Sequence, residues 1–82
     1  MEYIVCCMFD EKSGLFGNLL SFNSIPEAKR YFSFACHNDS NALYCKDLRF
    51  YKVGSFNVCS GVFNALALPE LIMSYSDTLS NE

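Results

Sequence analysis

Phe9-Asp10-Glu11-Lys12-Ser13-Gly14-Leu15-Phe16 returns near the other end of the chain as Phe56-Asn57-Val58-Cys59-Ser60-Gly61-Val62-Phe63. Phe, Ser, Gly and Phe recur in place, and the pairs Asp/Asn and Leu/Val exchange close relatives. Each copy reads as the bend of a β-hairpin. Asp10 and Asn57 open the bends, because their side chains accept backbone amides two residues on. Gly14 and Gly61 close them, because a residue without a Cβ takes a positive φ freely. Asp10, Gly14, Asn57 and Gly61 are therefore the turn-defining residues.

Working outward, residues 2–9 form the first strand, apolar on both faces, which asks for cover on both. Residues 15–22 form the second, with Gly17 marking a bulge or a close backbone approach. Ser24-Ile25-Pro26-Glu27 is a capping box in which the Ser24 hydroxyl accepts the Glu27 amide and the Glu27 carboxylate reaches back to Ser24. Pro26 is tolerated in a first turn. Ala28, Tyr31, Phe32, Ala35 and Cys36 then recur at helical spacing, with Lys29, Arg30 and Ser33 outside. The helix ends near His37, and residues 38–46 form a polar loop. The third strand spans about 47–53, with Leu48 and Phe50 on one face and Arg49 and Tyr51 on the other. Gly54-Ser55 breaks or bulges it. The fourth strand covers about 62–67. Residues 68–73 read as a helical turn or an extended docking segment. Ser74 onward is polar and frays.

The order is ββαββ, an α+β class with a largely antiparallel four-stranded sheet and one helix on one face. Residues 1–73 make the domain and 74–82 its tail. One helix covers one face, and the other is left with several of the apolar residues Ile4, Cys6, Met8, Phe16, Leu20 and Phe22, the interface candidates, or their opposites. An uncovered apolar face of this kind marks self-association or a protein partner.

Composition agrees. Of 82 residues, 51% are apolar and 16% aromatic, including eight Phe and five Tyr, and the net charge is −3. A chain this short buries only about 60–65% of its unfolded surface. The acidic balance argues against strong nonspecific binding to nucleic acid or an anionic membrane. No signal peptide is visible and nothing approaches a membrane span of about 20 apolar residues, so a soluble, intracellular protein is expected. The five cysteines are odd in number and include no CxxC pair, which points to buried thiols in a reducing compartment. The alternative is a metal held by Cys36, His37 and Cys45.

Enzymatic signals are weak. The single histidine, His37, sits where the helix C-terminus favours a cation. Cys36 beside it points elsewhere on the helix. No phosphate loop, HExxH or GxSxG occurs, and neither a catalytic residue nor a cofactor is expected. A nucleic-acid surface is the other candidate: Lys46, Arg49 and Lys52 interleave with Phe50 and Tyr51, and Lys29 and Arg30 extend the set. Cations for phosphates beside rings for bases suit single strands. A charged strand guarding against aggregation is the plainer reading.

Beyond these readings, an ordered set of motifs stands out. It comprises Tyr3 with Phe9-Asp10, Lys12-Ser13-Gly14-Leu15-Phe16-Gly17, Ser24 with Ala28-Lys29-Arg30-Tyr31-Phe32, Asp47-Leu48, Phe50-Tyr51-Lys52-Val53-Gly54, Phe56, Gly61 and Pro69-Glu70-Leu71-Ile72. In this order they resemble the small nonstructural protein of the gokushoviruses, microviruses with single-stranded DNA genomes. The likeness spans residues 3 to about 72, with Asn57 where the second turn often carries Asp. It implies a counterpart of the microvirus C protein, a non-enzymatic DNA packaging helper in the host cytoplasm. Such a helper switches the replication complex toward single-stranded genome synthesis and delivery into the procapsid. The partners implied are the replication initiator complex, the procapsid, further copies of itself and possible single-stranded DNA. Direct single-strand binding and an internal scaffold or minor virion role are the alternatives.

Overall fold

The computed structural model describes residues 2–37 and 47–79. Five strands and two helices follow in the order β1 (Glu2–Asp10), β2 (Leu15–Phe16), β3 (Leu20–Phe22), α1 (Ile25–His37), β4 (Leu48–Asn57), β5 (Phe63–Ser74) and α2 (Tyr75–Leu79). All pairings are antiparallel: β1 lies between β4 and the β2/β3 segment, and β5 forms the far edge beside β4. The α+β class and the single covering helix α1 agree with the sequence reading. The simple ββαββ order needs two amendments. The expected second strand is two short pieces separated at Gly17, whose amide donates to the Met8 carbonyl at 2.8 Å. The expected frayed tail begins with α2, so the ordered fold runs past residue 73.

The repeated phrase folds the same way twice. Asp10 Oδ1 accepts the Lys12 amide at 2.9 Å, and Asn57 Oδ1 accepts those of Cys59 and Ser60 at 2.9 and 3.0 Å. The Gly14 and Gly61 amides donate back to the carbonyls of Asp10 and Asn57, at 2.7 and 2.8 Å. Ser13 and Ser60 hydroxyls accept the amides of Leu15 and Val62. Both glycines have positive φ, 73° and 76°. The short polar groups close each bend, and φ > 0 is what lets the backbone turn into the returning strand.

At the start of α1, Ser24 Oγ accepts the Glu27 amide, while the Glu27 carboxylate accepts the amide of Asn23 rather than that of Ser24. Ala28, Phe32 and Cys36 are buried against the sheet. Beneath them lie Cys6, Phe22, Phe50 and Met73, flanked by Ile4, Met8, Leu20, Leu48, Ile72 and Tyr75. Phe32 and Phe50 stack with centroids 5.2 Å apart and planes at 13°. Among the described residues, no helix is long and apolar enough to cross a membrane.

The segment expected to be a helical turn or extended at 68–73 is extended, continuing β5. Its ladder with β4 is irregular. Lys52 pairs with Glu70 and Gly54 with Ala65, so residues 66–69 form an unpaired excursion that holds Pro69. Proline lacks the amide a ladder needs, and an edge-strand bulge is where it fits. Beyond β5, the Ser74 amide and hydroxyl bond the Asp77 carboxylate at 2.8 and 3.3 Å, capping α2.

Candidate interaction face

Directly opposed residues in an antiparallel pair share a face, so the register sorts every strand residue. Cys6 opposes Lys52 and Leu20, and Met8 opposes Phe50, which opposes Met73. This is the α1 face. The other face carries the rows Tyr3–Phe56–Phe63, Val5–Gly54–Ala65, Cys7–Tyr51–Leu71 and Phe9–Arg49–Ser74, with Phe16 opposite Phe9. Neither helix lies over it.

The interface candidates are corrected accordingly. Ile4, Cys6, Met8, Leu20 and Phe22 belong to the core under α1; only Phe16, 48% exposed, lies on the open face. The first strand is apolar on both faces and so gives no direction. β4 does so in its first half, where Leu48 and Phe50 share one side and Arg49 and Tyr51 the other, and the helix takes the Leu48/Phe50 side, with Lys52 farther along it.

The open face is apolar for most of its extent. Phe9, Phe16 and Tyr51 pack as a triangle of rings with centroids 4.7 to 6.1 Å apart. Beside it, Cys7, Phe16, Gly17, Leu19, Val53, Phe63, Ala65, Leu66 and Pro69 line a shallow hollow of about 390 Å³. Cys7 is buried at its floor, while Leu19, Phe63 and Leu66 around it stay 63%, 45% and 38% exposed. Leu71 is half exposed on the same face. The two breaks in regular pairing, at Gly17–Leu19 and at residues 66–69, supply opposite walls of the hollow. Arg49 stands at one end, its guanidinium 2.8 Å from the Glu11 carboxylate.

The candidate nucleic-acid residues do not form one surface. Phe50 is fully buried and has no face to offer a base. Lys52 falls on the α1 side, whereas Arg49 and Tyr51 fall on the other, with Arg49 paired and Tyr51 packed on Phe9 and Phe16. Lys46 lies outside the described residues. Lys29 and Arg30 are exposed on α1, next to Tyr31 and Phe34, themselves 40% and 64% exposed. The periodicity of the helix had put Tyr31 on its apolar stripe; it sits at the stripe's margin, its ring 5.3 Å from that of Phe22.

Cys6, Cys7 and Cys36 are buried, and Cys59 is exposed in the second turn. Burial pushes the Cys6 thiol up to about 11, with adjacent Cys7 adding to the rise and Lys52 opposing it. Burial likewise raises Cys7. Of the metal alternative, Cys45 lies outside the described residues. Cys36 faces the core and His37 turns to α2. Among the described residues no group of three His, Cys, Asp or Glu side chains is placed to hold a metal. His37 has a structural task that sequence alone did not show. The buried Thr78 hydroxyl donates to the Tyr75 carbonyl at 2.6 Å, so it accepts from His37 Nε2–H at 2.7 Å. The imidazole also stacks on Tyr75 at 5.6 Å.

Compared with known proteins, residues 3–78 match the model of a family described as Phage ORF5 protein. No curated protein and no solved structure matches the chain.

Proposed function

The chain belongs to the phage ORF5 protein family, and from that premise we propose that it is a non-enzymatic phage helper that works by protein contact through its open sheet face. In this reading it binds the replication complex or the procapsid in the host cytoplasm and assists single-stranded genome synthesis and packaging. The finer assignment, to the gokushovirus counterpart of the microvirus C protein, rests on the motif resemblance. The observation that carries the contact mechanism is the face itself: aromatic rows, a hollow walled by Leu19, Phe63, Leu66 and Pro69, and, among the described residues of the rows, formal charge only at Arg49, which is paired with Glu11. Exposed apolar area of this kind is characteristic of protein docking.

The test is capture from infected host cells with the full chain and with a Leu19→Glu variant. Wild type is expected to bring down the replication initiator or capsid protein, and the variant to lose it. Equal capture by both, or none by either, overturns the reading. A second reading, direct binding of single-stranded DNA, is favoured by a different observation: Tyr31 and Phe34 stand exposed beside Lys29 and Arg30 on α1. That pairing of rings with cations suits stacked bases and phosphates.

A further inference from the structure

We infer that the open sheet face joins two copies of this chain in a two-fold sandwich dimer, sheet against sheet, with α1 outward on both sides. The inference rests on the docking role proposed for this face and names its occupant in the free protein.

Area comes first. The long strands β1, β4 and β5 lie side by side, with β2 and β3, two and three residues, as a short fourth lane, so that at about 3.4 Å per residue and about 4.8 Å between strands the projected face is roughly 550 Å². Val5, Cys7 and Gly54 within it are buried, while the exposed side chains of Phe16, Leu19, Phe63, Leu66 and Leu71 stand out from it and add accessible area. A stable interface needs about 800 Å² from each partner.

Charge comes second. The protein carries −3 overall, yet the rows Tyr3–Phe56–Phe63, Val5–Gly54–Ala65 and Cys7–Tyr51–Leu71 contain no formal charge. In the fourth row Arg49 is paired, its guanidinium 2.8 Å from the Glu11 carboxylate. Two such faces meet without like-charge repulsion and without stranding an ion, as an isologous contact requires. A highly charged partner finds no counter-charge there. Aligned packing of two sheets about 10 Å apart is also an established way to cover such faces. Engagement of a phage partner through the same face then draws on the dissociated monomer.

Sedimentation velocity and light scattering on the full chain, over a dilution series, test this. The expected mass is twice 9.3 kDa, falling toward the monomer on dilution. Leu19→Glu and Leu71→Glu, both at exposed positions on the face, are each expected to weaken association at least tenfold with unchanged circular dichroism. Phe34→Glu, on α1, is expected to leave it unchanged. A wild type that is monomeric at every concentration, an assembly larger than a dimer, or a dimer indifferent to both face substitutions overturns the inference. Its failure separates from that of the docking reading. A monomer that still captures a phage protein in a Leu19-dependent way loses only the dimer. A Leu19-sensitive dimer with Leu19-independent capture loses only the docking role.

Discussion

Gly54 sets how closely β5 lies on β4. A Cβ built there would sit 2.6 Å from the Asn64 carbonyl oxygen and 2.6 Å from Cζ of Phe63. One obstacle is backbone and the other is a ring on the open face, so neither yields cheaply. Gly54→Ala is expected to cost about 2 kcal/mol, read from urea midpoints, with Phe63 displaced. Gly17→Ala is the contrast, since its Cβ would meet only the Met8 carbonyl at 3.7 Å, and a loss below about 0.5 kcal/mol is expected. Equal losses would show that close approach is not what Gly54 provides. Cys6 gives a second residue-scale outcome. Its thiol ionises at about 11 in the fold against an ordinary 9.0. Between those values the unfolded chain has released the proton and the folded one has not. Stability is therefore intact below pH 9 and falls as pH rises toward 11, by up to about 1.4 kcal/mol per unit. Urea titrations across that window check it: Cys6→Ala is expected to flatten the decline, and an unchanged slope would assign the loss to other groups.

At the scale of elements, the sequence was most legible where short-range chemistry decides. The repeated Asp/Asn-to-Gly phrase requires its two turns whatever surrounds them, and the Ser24–Glu27 capping box marks the start of α1 from four residues. Legibility failed where a choice was made by packing. Ile4, Cys6 and Met8 alternate with Val5, Cys7 and Phe9, all apolar, so β1 does not say which row meets the helix. The deciding contrast lay in β4, between Arg49 and Tyr51 on one side and Leu48 and Phe50 on the other, and it reaches β1 only through the register. The end of the chain was missed for a related reason. Ser74 and Asp77 carry the same capping spacing as Ser24 and Glu27, but α2 has only five residues, too few for an apolar period. Such a helix is marginal alone and holds by docking. Thr78→Val keeps the shape and removes the hydroxyl that receives His37 and satisfies Tyr75. A stability loss of about 1–2 kcal/mol is expected, together with faster amide exchange throughout α2. Exchange confined to residue 78 would mean that α2 holds without the hydroxyl.

At the scale of the whole molecule, the sheet places the cations Arg49 and Lys52 on opposite surfaces. A β-strand sends neighbours to opposite faces, so the run Arg49-Phe50-Tyr51-Lys52, basic and aromatic in one dimension, becomes one buried ring and two cations on opposite sides. The α1 pair Lys29 and Arg30 keeps its exposed rings Tyr31 and Phe34. If single-stranded DNA is bound, the helix and not β4 should carry the salt dependence. Fluorescence anisotropy of a labelled oligonucleotide over a salt series reads this directly. Arg49→Gln and Lys52→Gln are each expected to change affinity less than about twofold, within what a solvated surface charge contributes, with the slope of log K against log salt unmoved. Replacing Lys29 and Arg30 together by Gln is expected to weaken binding at low salt and to make that slope shallower by about 1.4, the value for two phosphate contacts on a single strand. A slope that responds to Arg49 and Lys52 but not to Lys29 and Arg30 would mean that the two faces of the sheet are bridged by the nucleic acid around the edge of β5. A slope that responds to none of the four would assign the salt dependence to groups other than these cations.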